Sequence, residues 1–536
     1  MLRPNLTSSL HLCIISLAIF AGLIVSGDRF STRVAAQGGL SDQQKRGKQI
    51  YVRGTSSSGK EIFAYVGESS LEVPGSAMPC ANCHALDGLG KPEGGVNPSN
   101  LTWEALTKPY KVTESGGRER GPYGERALDL AIARGLDPAG HKLLNVMPRY
   151  QMSPQDMSDL VAYLKRLGND RDPGLTENSI NIGMVLPSNA ELSGLGQAVK
   201  AVMTAYCAEV NSHGGIYNRK LNLKFAQTGD TPAATAANVK RFVQDDQIFV
   251  MTGVFSAGAD REVATLMNEL ELPSVGPFTL FPQVGHPLNR EVFYLLSGMN
   301  EQARALVNFA VNHNADKKDG ALVIYPETNT GKDLRQAVRD QCVSSGCGPT
   351  EEFSYSNATF DAAALAANLK QTGKKAVFFL GSGKEELALL AEADRLHWSP
   401  EVYGFAGSEL LGAPSSFNQR VFMSFPTSPV DQTAEGIAEF RAFNGKYQLP
   451  SDHLAAQVSA FASAKILVEG LKKAGKDLSR EKLIQALEGL YEYPTGLTPP
   501  VTYGPNRRIG AMGAYIVSID LEKKQYVPVS GWIKIN

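Results

Sequence analysis

The chain has 536 residues, which is enough for about two to four domains of ordinary size. Hydrophobic residues make up 43% of it and charged residues 20%, as in most globular proteins. The formal net charge of -1 lacks the surplus of lysine and arginine that a nucleic acid or an acidic membrane surface would attract. The composition therefore excludes nucleic acid as a partner class.

A targeting segment is predicted at the start of the chain. Arg3 supplies a basic end, an apolar run extends from Leu10 to Val25, and the small residues of Val34–Ala36 form a cleavage site. We expect residues 1–36 to be a signal peptide that is removed on export to the periplasm. Because the apolar run is long for a signal peptide, an uncleaved N-terminal anchor is the alternative.

The most informative stretch is Cys80–His84, which reads Cys-Ala-Asn-Cys-His. Two cysteines about one helical turn apart, followed directly by a histidine, are the attachment signature of a c-type haem. Each thiol adds to one vinyl group of the porphyrin, and the imidazole of His84 reaches the iron from the proximal side. The motif therefore predicts one covalent haem c, attached through Cys80 and Cys83.

Two other interpretations of the cysteine pair stay open, namely half of a zinc site and a thioredoxin-like redox pair. A zinc ion needs two further ligands. The first 170 residues contain no second cysteine pair, and His141 is the other nearby histidine. Haem attachment is therefore the interpretation that the sequence favours.

Residues 38–168 have the pattern of a small all-α domain. Ser41 begins a first helix, and another runs from Glu125 to Arg134. Ser153 is predicted to be the N-cap of the last helix, with Pro154 in its first turn. Its apolar residues recur with helical spacing, at Met157, Leu160, Val161 and Leu164.

This layout resembles that of the class I bacterial c-type cytochromes. The resemblance rests on Cys80–His84, on Met147 with the proline after it, and on the capped last helix. It implies that Met147 is the distal ligand of the iron. No coordination position then stays open, so the domain is a carrier of electrons and not an enzyme. The alternatives are Met152, Met78 and His141, of which Met78 is too close to the haem motif to reach the opposite face.

The second part of the chain has a different pattern. Pro173 and Gly174 indicate a linker over residues 169–177. After it, apolar strands alternate with helices, which predicts parallel sheets covered by helices on both faces. About 350 residues are too many for one such core, so two lobes are expected. The predicted strands are Ile180–Leu186, Leu221–Phe225, Ile248–Thr252, Leu272–Gly276, Ala321–Tyr325, Ala376–Leu380, Glu401–Phe405 and Val421–Phe425.

Residues 178–536 resemble the type I periplasmic binding proteins, in particular their branched-chain amino-acid-binding branch. The resemblance rests on motifs that occur in the right order, namely Ser193–Gly196, Asn211–Leu221, Asp230–Pro232, Thr252-Gly253 and Leu272-Pro273. It implies a two-lobed α/β fold whose chain crosses between the lobes three times. One lobe would span about 178–298 and 428–503, and the other about 299–427 and 504–536. A ligand would be held in the cleft between the lobes, which closes by a hinge motion.

By this resemblance the hydroxyl of Ser256 binds the carboxylate of the ligand, Phe278 and Thr279 line the same wall, and Glu409 pairs with the ammonium group of the ligand. The chain departs from the amino-acid binders at Thr330, where they have a tyrosine, and at Phe278, where a small residue is usual. These departures leave the ligand open between an amino acid and another small polar or aromatic metabolite. The alternative is that Ser256 and Glu409 are ordinary loop residues that cap helices.

The remaining cysteines fit an exported protein. Cys342 and Cys347 are close enough in sequence to form a small disulfide in an oxidising compartment. Cys207 lies in a helical apolar pattern and is predicted to be a buried thiol.

The sequence thus supports two functional hypotheses. The first is an exported electron carrier whose haem domain is tethered to a ligand-binding or docking domain. Its redox partner would be a protein such as a quinoprotein-type dehydrogenase or a member of a terminal oxidase chain. The second is the solute-binding protein of an ABC importer, with an ABC permease as partner and the haem domain as an accessory.

Overall fold

The computed structural model describes residues 40–114, 117–168, 172–285, 287–313, 320–405 and 407–535. The predicted signal peptide, residues 1–36, lies outside the described residues. The chain divides into two compact units, one ending at Lys165 and the other beginning at Arg166. We call them the N-terminal unit and the C-terminal unit.

The N-terminal unit is built on its first and last helices. Its elements are α1 (Asp42–Arg53), β1 (Phe63–Val66), β2 (Leu71–Pro74), α2 (Cys80–His84), α3 (Trp103–Leu106), β3 (Val112–Thr113), β4 (Glu119–Arg120), α4 (Glu125–Arg134), β5 (Arg149–Gln151) and α5 (Pro154–Leu164). Helices α1 and α5 approach closely at Gly47, where a Cβ atom would lie 1.9 Å from the carbonyl oxygen of Asp159. The side chain of Asp159 also pairs with Arg46 at 2.6 Å. The predicted N-cap of α5 is confirmed, since the Ser153 hydroxyl accepts a hydrogen bond from the amide of Asp156.

The unit also carries a small antiparallel sheet that the sequence did not predict. Strands β1 and β2 form a hairpin, and β1 pairs on its other side with β5. In this pairing Tyr65 lies opposite Arg149, two residues after Met147. The hairpin therefore fixes the position of the chain segment that follows Met147.

The C-terminal unit contains two sheets with helices on both faces. Its elements are β6 (Ser179–Leu186), α6 (Ser193–Ser212), β7 (Lys220–Gln227), α7 (Pro232–Asp245), β8 (Val250–Thr252), α8 (Asp260–Glu269), β9 (Ser274–Val275), β10 (Val292–Leu296), α9 (Met299–His313), β11 (Ala321–Pro326), α10 (Asn329–Ser345), β12 (Thr350–Tyr355), α11 (Ala362–Gln371), β13 (Ala376–Phe379), α12 (Gly383–Arg395), β14 (Glu401–Phe405), β15 (Val421–Phe425), α13 (Ala434–Tyr447), α14 (Leu454–Ala474), α15 (Arg480–Glu488), β16 (Ile509–Ala511), β17 (Gly513–Asp520), β18 (Gln525–Pro528) and β19 (Ile533–Lys534). All eight predicted strands are confirmed, with ends shifted by a few residues.

Lobe 1 is a parallel sheet of six strands in the order β16-β10-β9-β8-β6-β7. Its strands are nearly continuous apolar runs because both faces are covered; Ile180, Ile182 and Met184 are fully buried. Helix α14 is the one helix in the described ranges that is long and apolar enough to cross a membrane. Its residues Phe461, Ile466 and Leu471 are packed in the core of this lobe, as in a buried helix of a globular domain.

Lobe 2 is a sheet of eight strands. Strands β12, β11, β13, β14 and β15 run parallel in that order, and β17 then pairs antiparallel with β15 and with β18 and β19. Two apolar clusters fill its two faces. One contains Phe378, Tyr403 and Phe422, whose rings lie in a row across three neighbouring strands. The other contains Phe379 and Phe417.

The last crossing between the lobes lies later than predicted. The expected boundary at residues 503–504 is wrong, because β16 pairs with β10 in lobe 1 up to Ala511 and β17 enters the sheet of lobe 2 at Gly513. The hydroxyl of Ser297 ties this crossing to the first one, since it donates to the carbonyl of Ala511 at 3.1 Å and accepts from the amide of Gly513 at 2.7 Å. The sequence does not reveal this crossing, because β16 and β17 are both apolar strands and only Met512 separates them.

The predicted linker, residues 169–177, is also shorter than expected. In the described part of it, a carboxylate oxygen of Asp172 accepts a hydrogen bond from the amide of Arg480 at 2.6 Å. Leu175 is 8% exposed and belongs to the core of lobe 1. Residues 172–177 are therefore part of the C-terminal unit: Pro173 and Gly174 do form a turn, but this turn packs against lobe 1.

Candidate functional site

Helix α2 presents the two thiols of the haem motif. It begins after Pro79, which has an extended backbone, and places Cys80 and Cys83 one turn apart. Both thiols are free, and Cys83 is exposed. Burial raises the pKa of the Cys80 thiol to about 12, so this group is a neutral thiol at physiological pH. Two free thiols at this spacing fit covalent attachment to the two vinyl groups of a haem.

His84 at the end of α2 is already oriented for metal binding. Its ring is buried, with 8% of the residue exposed, and its Nδ1 atom lies 2.9 Å from the carbonyl oxygen of Ser99. A carbonyl can only accept, so Nδ1 holds the proton and Nε2 keeps its lone pair. Burial lowers the pKa of His84, which keeps the imidazole neutral. A neutral ring with a fixed tautomer is the form that coordinates iron.

A chain of polar contacts holds Ser99 in place behind His84. The hydroxyl of Ser99 donates to Glu114 at 2.7 Å, and the other oxygen of Glu114 accepts from Arg120 at 2.6 Å. The side chain of Arg120 is only 3% exposed, and its guanidinium group lies 4.8 Å from the ring centre of Tyr123. The support of His84 thus ends in a buried ion pair.

Two tyrosines flank the motif. The hydroxyl of Tyr51 donates to the carbonyl of Ala85 at 2.7 Å, and that of Tyr150 donates to the carbonyl of Met78 at 2.6 Å. Burial raises the pKa of both phenols, and the nearby Cys80 thiol adds to this in each case. These contacts connect both ends of the haem motif to α1 and to β5.

The loop of Met147 leads directly into β5. Met147 is half-buried, and the Arg149 guanidinium group donates to its carbonyl and, at 2.9 Å, to that of Leu143. Met152, the competing ligand, is also half-buried and follows β5 on the other side. Leu144 and Val146 in this loop are 66% and 48% exposed. Exposed apolar side chains in the loop of the predicted distal ligand fit a surface that a porphyrin covers.

The zinc interpretation finds no support in the same region. Among the described residues, no group of three histidine, cysteine, aspartate or glutamate side chains is arranged to hold a metal ion. Cys80 and Cys83 are also not joined to each other in a disulfide. The two thiols and the imidazole of this region therefore stay available for the haem attachment that the motif predicts.

The cleft of the C-terminal unit is located by the way the chain leaves its sheets. It passes from β10 into lobe 2 at Ser297–Gly298, and it leaves lobe 2 after β15 at Phe425. Strands β8 and β9 run parallel to β10, so the carboxyl ends of these three strands lie at one edge of the sheet of lobe 1. Strands β11, β13 and β14 run parallel to β15, so their carboxyl ends lie together at one edge of the sheet of lobe 2. The chain crosses between the lobes at both of these edges, so the loops after these strands lie next to the crossings and are the candidates for lining the cleft.

The wall of lobe 1 brings together three of the predicted ligand residues. The loops after β8 and β9 pair with each other: the amide of Ser256 donates to the carbonyl of Phe278 at 3.2 Å. The rings of Phe255 and Phe278 stack with their centres 4.9 Å apart and an angle of 7° between their planes. Thr279 follows directly. The structure thus brings Ser256, Phe278 and Thr279 together, and their role in ligand binding stays a prediction.

The sequence analysis missed Asp260, the residue that these side chains contact. The hydroxyls of Ser256 and Thr279 both donate to its Oδ1 atom, at 2.8 and 2.5 Å, and the amide of Gly258 donates to Oδ2 at 3.3 Å. Burial raises the pKa of Asp260, although the two hydroxyls oppose this shift. The available signal was an aspartate four residues after Ser256 at the start of a helix. The alternative that Ser256 caps α8 is wrong, because that helix has no side-chain cap.

The wall of lobe 2 carries Thr330 and Glu409. Thr330 lies in the first turn of α10, where the hydroxyl of Thr328, not of Thr330, caps the helix. Glu409 is exposed. Its carboxylate lies next to Gly383, where an added Cβ atom would be 3.2 Å from the Oε2 atom of Glu409. The start of α12 and the loop after β14 therefore meet at Glu409.

Below this wall lies a second carboxyl group that the sequence did not reveal. Glu386 on α12 is 1% exposed, and its Oε1 atom has no hydrogen-bond partner among the described residues. Burial raises its pKa to about 8. Elsewhere in lobe 2 the structure joins Cys342 and Cys347 in a disulfide, and in lobe 1 Cys207 is a free thiol.

Comparison with known proteins identifies the two parts. The family model "Periplasmic binding protein" matches residues 179–525, and the chain belongs to this family. The family model "Cytochrome c" matches residues 59–168. The chain therefore combines a cytochrome c domain with a periplasmic binding protein domain. The cytochrome c family implies covalent haem c, and both families are generally exported to the periplasm.

Individual relatives agree with the family of the second part. The Leu/Ile/Val-binding protein homolog 3 of Brucella melitensis biotype 1 is 23% identical over 310 residues, which cover 58% of this chain and 83% of that protein. Two solved structures share the fold, each with a TM-score of 0.54 and 18% identity. One is a branched-chain amino acid ABC transporter protein from Thermus thermophilus with bound valine, covering 67% of this chain and 98% of that one. The other is a fatty acid ABC transporter substrate-binding protein from Thermomonospora curvata, covering 68% and 95%.

Proposed function

We propose that this chain is a periplasmic electron carrier with one covalent haem c and a ligand-binding domain that responds to a small molecule. Cys80 and Cys83 would attach the haem, with His84 and Met147 as its axial ligands. The observation that carries the proposal is helix α2, where two free thiols lie one turn apart and His84 is held as a neutral ring by the Ser99 carbonyl. Its partner would be a protein that donates or accepts single electrons, such as a periplasmic dehydrogenase.

The residues of the N-terminal unit have separate tasks in this proposal. When bound, haem c supplies a one-electron couple at its iron. Ser99 fixes the tautomer and the direction of His84, and Arg149 holds the carbonyls of the Met147 loop. With a side chain on each axial position, no position is open for a substrate, which supports a carrier and not an enzyme.

The C-terminal unit would bind its ligand between the lobes. Ser297 joins the first and third crossings by hydrogen bonds, and the Tyr515 hydroxyl, just after the third, donates to Asp431, just after the second. A few residues at such a junction can absorb the rotation by which two lobes close on a ligand. We propose that this closure, and not catalysis, is the function of the binding domain.

A second candidate function is supported by the family of residues 179–525 and by their relatives among transporter binding proteins. In that case the ligand would be delivered to an ABC permease and the haem would be accessory. The two candidates differ in the consequence of losing the haem. Under the second candidate, uptake of the ligand by cells requires the chain and continues in the Cys80→Ser/Cys83→Ser variant. Under the first, this variant loses the function of the chain, and uptake does not depend on the chain at all.

The proposal is tested by replacing each candidate distal ligand in the haem-loaded protein. Met147→Ala is expected to abolish the thioether-to-iron charge-transfer band of the oxidised protein and to lower its reduction potential, because a soft neutral ligand stabilises the reduced iron. Met152→Ala is the matched control and is expected to retain the band. Retention of the band in Met147→Ala with its loss in Met152→Ala would assign the ligand to Met152. A wild-type spectrum without low-spin haem would contradict the carrier function itself.

A further inference from the structure

We propose that the cleft is built for an organic cation without a carboxylate, an amine with an aromatic or apolar body, and that Asp260 selects it. This inference rests on the proposed ligand-binding role of the C-terminal unit and names the class of its ligand. It reverses the polarity that the resemblance to amino-acid binders implies for the same wall.

The first argument concerns the protons of the two hydroxyls. Each hydroxyl has one proton to donate. Ser256 and Thr279 both direct theirs to Oδ1 of Asp260, at 2.8 and 2.5 Å. Neither is therefore free to donate to the carboxylate of a ligand. A carboxylate placed here would meet oxygen lone pairs and a second negative charge.

The second argument concerns the charge of Asp260. Its described hydrogen-bond partners are the two hydroxyls, the amide of Gly258 and its own amide, and no lysine, arginine or histidine among the described residues forms an ion pair with it. The buried phenol of Tyr294 is a titratable group that interacts with Asp260, and it brings no positive charge. A half-buried carboxylate without a cation gains most from a ligand that brings one.

The third argument concerns the surface next to the carboxylate. The half-buried ring of Phe278 lies on the buried ring of Phe255, with 4.9 Å between their centres. Leu280, two residues on, is 59% exposed. An aromatic face beside a carboxylate attracts both the apolar body of an amine and its positive charge.

The wall of lobe 2 has the same sign of charge. Glu409 is exposed at the carboxyl edge of that sheet and has no described hydrogen-bond partner. A cation between Asp260 and Glu409 would attract both lobes at once. Binding of a cation would then favour closure, whereas a carboxylate would be repelled from both sides.

The test uses three compounds that share a phenyl ring and differ in charge: 2-phenylethylamine, L-phenylalanine and 3-phenylpropanoate. Binding to the haem-loaded full-length protein is measured by calorimetry. We expect the amine to bind about tenfold to a hundredfold more tightly than L-phenylalanine, and the carboxylate to bind weakest, because one charge-assisted hydrogen bond is gained or lost between neighbouring compounds. This ranking needs no variant and so does not depend on how a variant folds.

A substitution then assigns the selectivity to one side chain. Asp260→Ala is expected to weaken binding of the amine about tenfold or more and to strengthen binding of L-phenylalanine, since Ser256 and Thr279 are released to donate to its carboxylate. Asp245→Asn, which removes a negative charge from the exposed end of α7 in the same lobe, is the control and is expected to change neither affinity.

The proposal is overturned if the wild-type protein prefers L-phenylalanine or 3-phenylpropanoate, if Asp260→Ala leaves the ranking unchanged, or if none of the three compounds binds. The first two outcomes would leave a cleft that binds small molecules. The electron-carrier function is judged separately by the haem spectrum of the same sample.

Discussion

The two units differ in how their candidate sites are assembled. In the N-terminal unit the attachment chemistry lies in Cys80–His84, on one short helix, and the rest of the unit orients it. In the C-terminal unit the wall of lobe 1 needs Ser256, Asp260 and Thr279, which come from two loops after different strands. A site within one helix is defined by its sequence, whereas a site between loops is defined by contacts that only the fold creates.

The units also differ in the partners and the pKa shifts of their buried acidic side chains. In the N-terminal unit Asp159 pairs with Arg46 and Asp137 with Arg118, each at 2.6 Å. Burial raises the pKa of both acids, but the arginine hydrogen bond, the other hydrogen bonds to each carboxylate and the arginine charge together outweigh it, and the net shift is downward. In the C-terminal unit Asp260, Glu301 and Glu386 are buried or half-buried and have raised pKa values, with burial as the main cause. Arginine partners thus favour ionisation of the buried acids in one unit, whereas burial opposes it in the other.

The largest effect is expected from the local site. Cys80→Ser/Cys83→Ser should abolish covalent haem completely, because both thioether bonds are lost, and intact-protein mass spectrometry measures this directly. Cys207→Ser, which changes the lone thiol of the C-terminal unit, is the control and should retain the haem. Covalent haem in the double variant would refute the attachment site.

The second-largest effect is expected from a buried ion pair of the N-terminal unit, Arg120 with Glu114. Arg120→Met should lower the free energy of unfolding of the N-terminal unit by about 3–5 kcal/mol, because it leaves Glu114 as an unpaired charge that is only 12% exposed. Denaturant unfolding followed by haem absorbance measures it. Arg126→Met, which removes an exposed arginine from α4, should change the stability by less than about 0.5 kcal/mol. Equal effects of the two variants would show that the buried pair adds no stability.

The unpaired acids should give a pH dependence of the opposite kind. The pKa of Glu386 rises from 4.5 to about 8 on folding, so between these values the folded state holds a proton that the unfolded state has lost. Its contribution therefore makes the protein less stable as pH rises through this window, by about 2–3 kcal/mol between pH 5 and pH 7. Glu386→Gln should remove that part of the decline in thermal unfolding, whereas the exposed Glu435→Gln should not. An unchanged slope in Glu386→Gln would contradict the assignment.

The smallest effect concerns the support of His84. Ser99→Ala removes the hydroxyl that donates to Glu114 but keeps the carbonyl that accepts from His84, so we expect a loss of about 1 kcal/mol in stability with haem still attached. Denaturant unfolding of the haem-loaded protein measures the loss, with the exposed Ser76→Ala as control. Failure to attach haem in Ser99→Ala would mean that the hydroxyl, and not the carbonyl, orients the histidine.

The difference between the units explains what the sequence revealed. The haem motif, the Ser153 cap and the eight strands of the C-terminal unit are local patterns of spacing and polarity, and they were predictable. Asp260 was not, because its role depends on Thr279, 19 residues further along the chain. The β1–β2 hairpin was missed for the same reason, since it is completed by β5 from a distant part of the sequence. The crossing after Ala511 was missed because both sheets use apolar strands there.

The central claim is that the N-terminal unit carries one haem whose iron has two protein ligands. The most direct measurement is a potentiometric titration of the full-length protein, produced in an exporting host with haem-attachment machinery and checked by intact mass. The account predicts the added mass of one haem, a low-spin spectrum in both oxidation states and a single reversible one-electron transition. A protein of the haem-free mass, or a haem with a high-spin spectrum and an open coordination position, would contradict it.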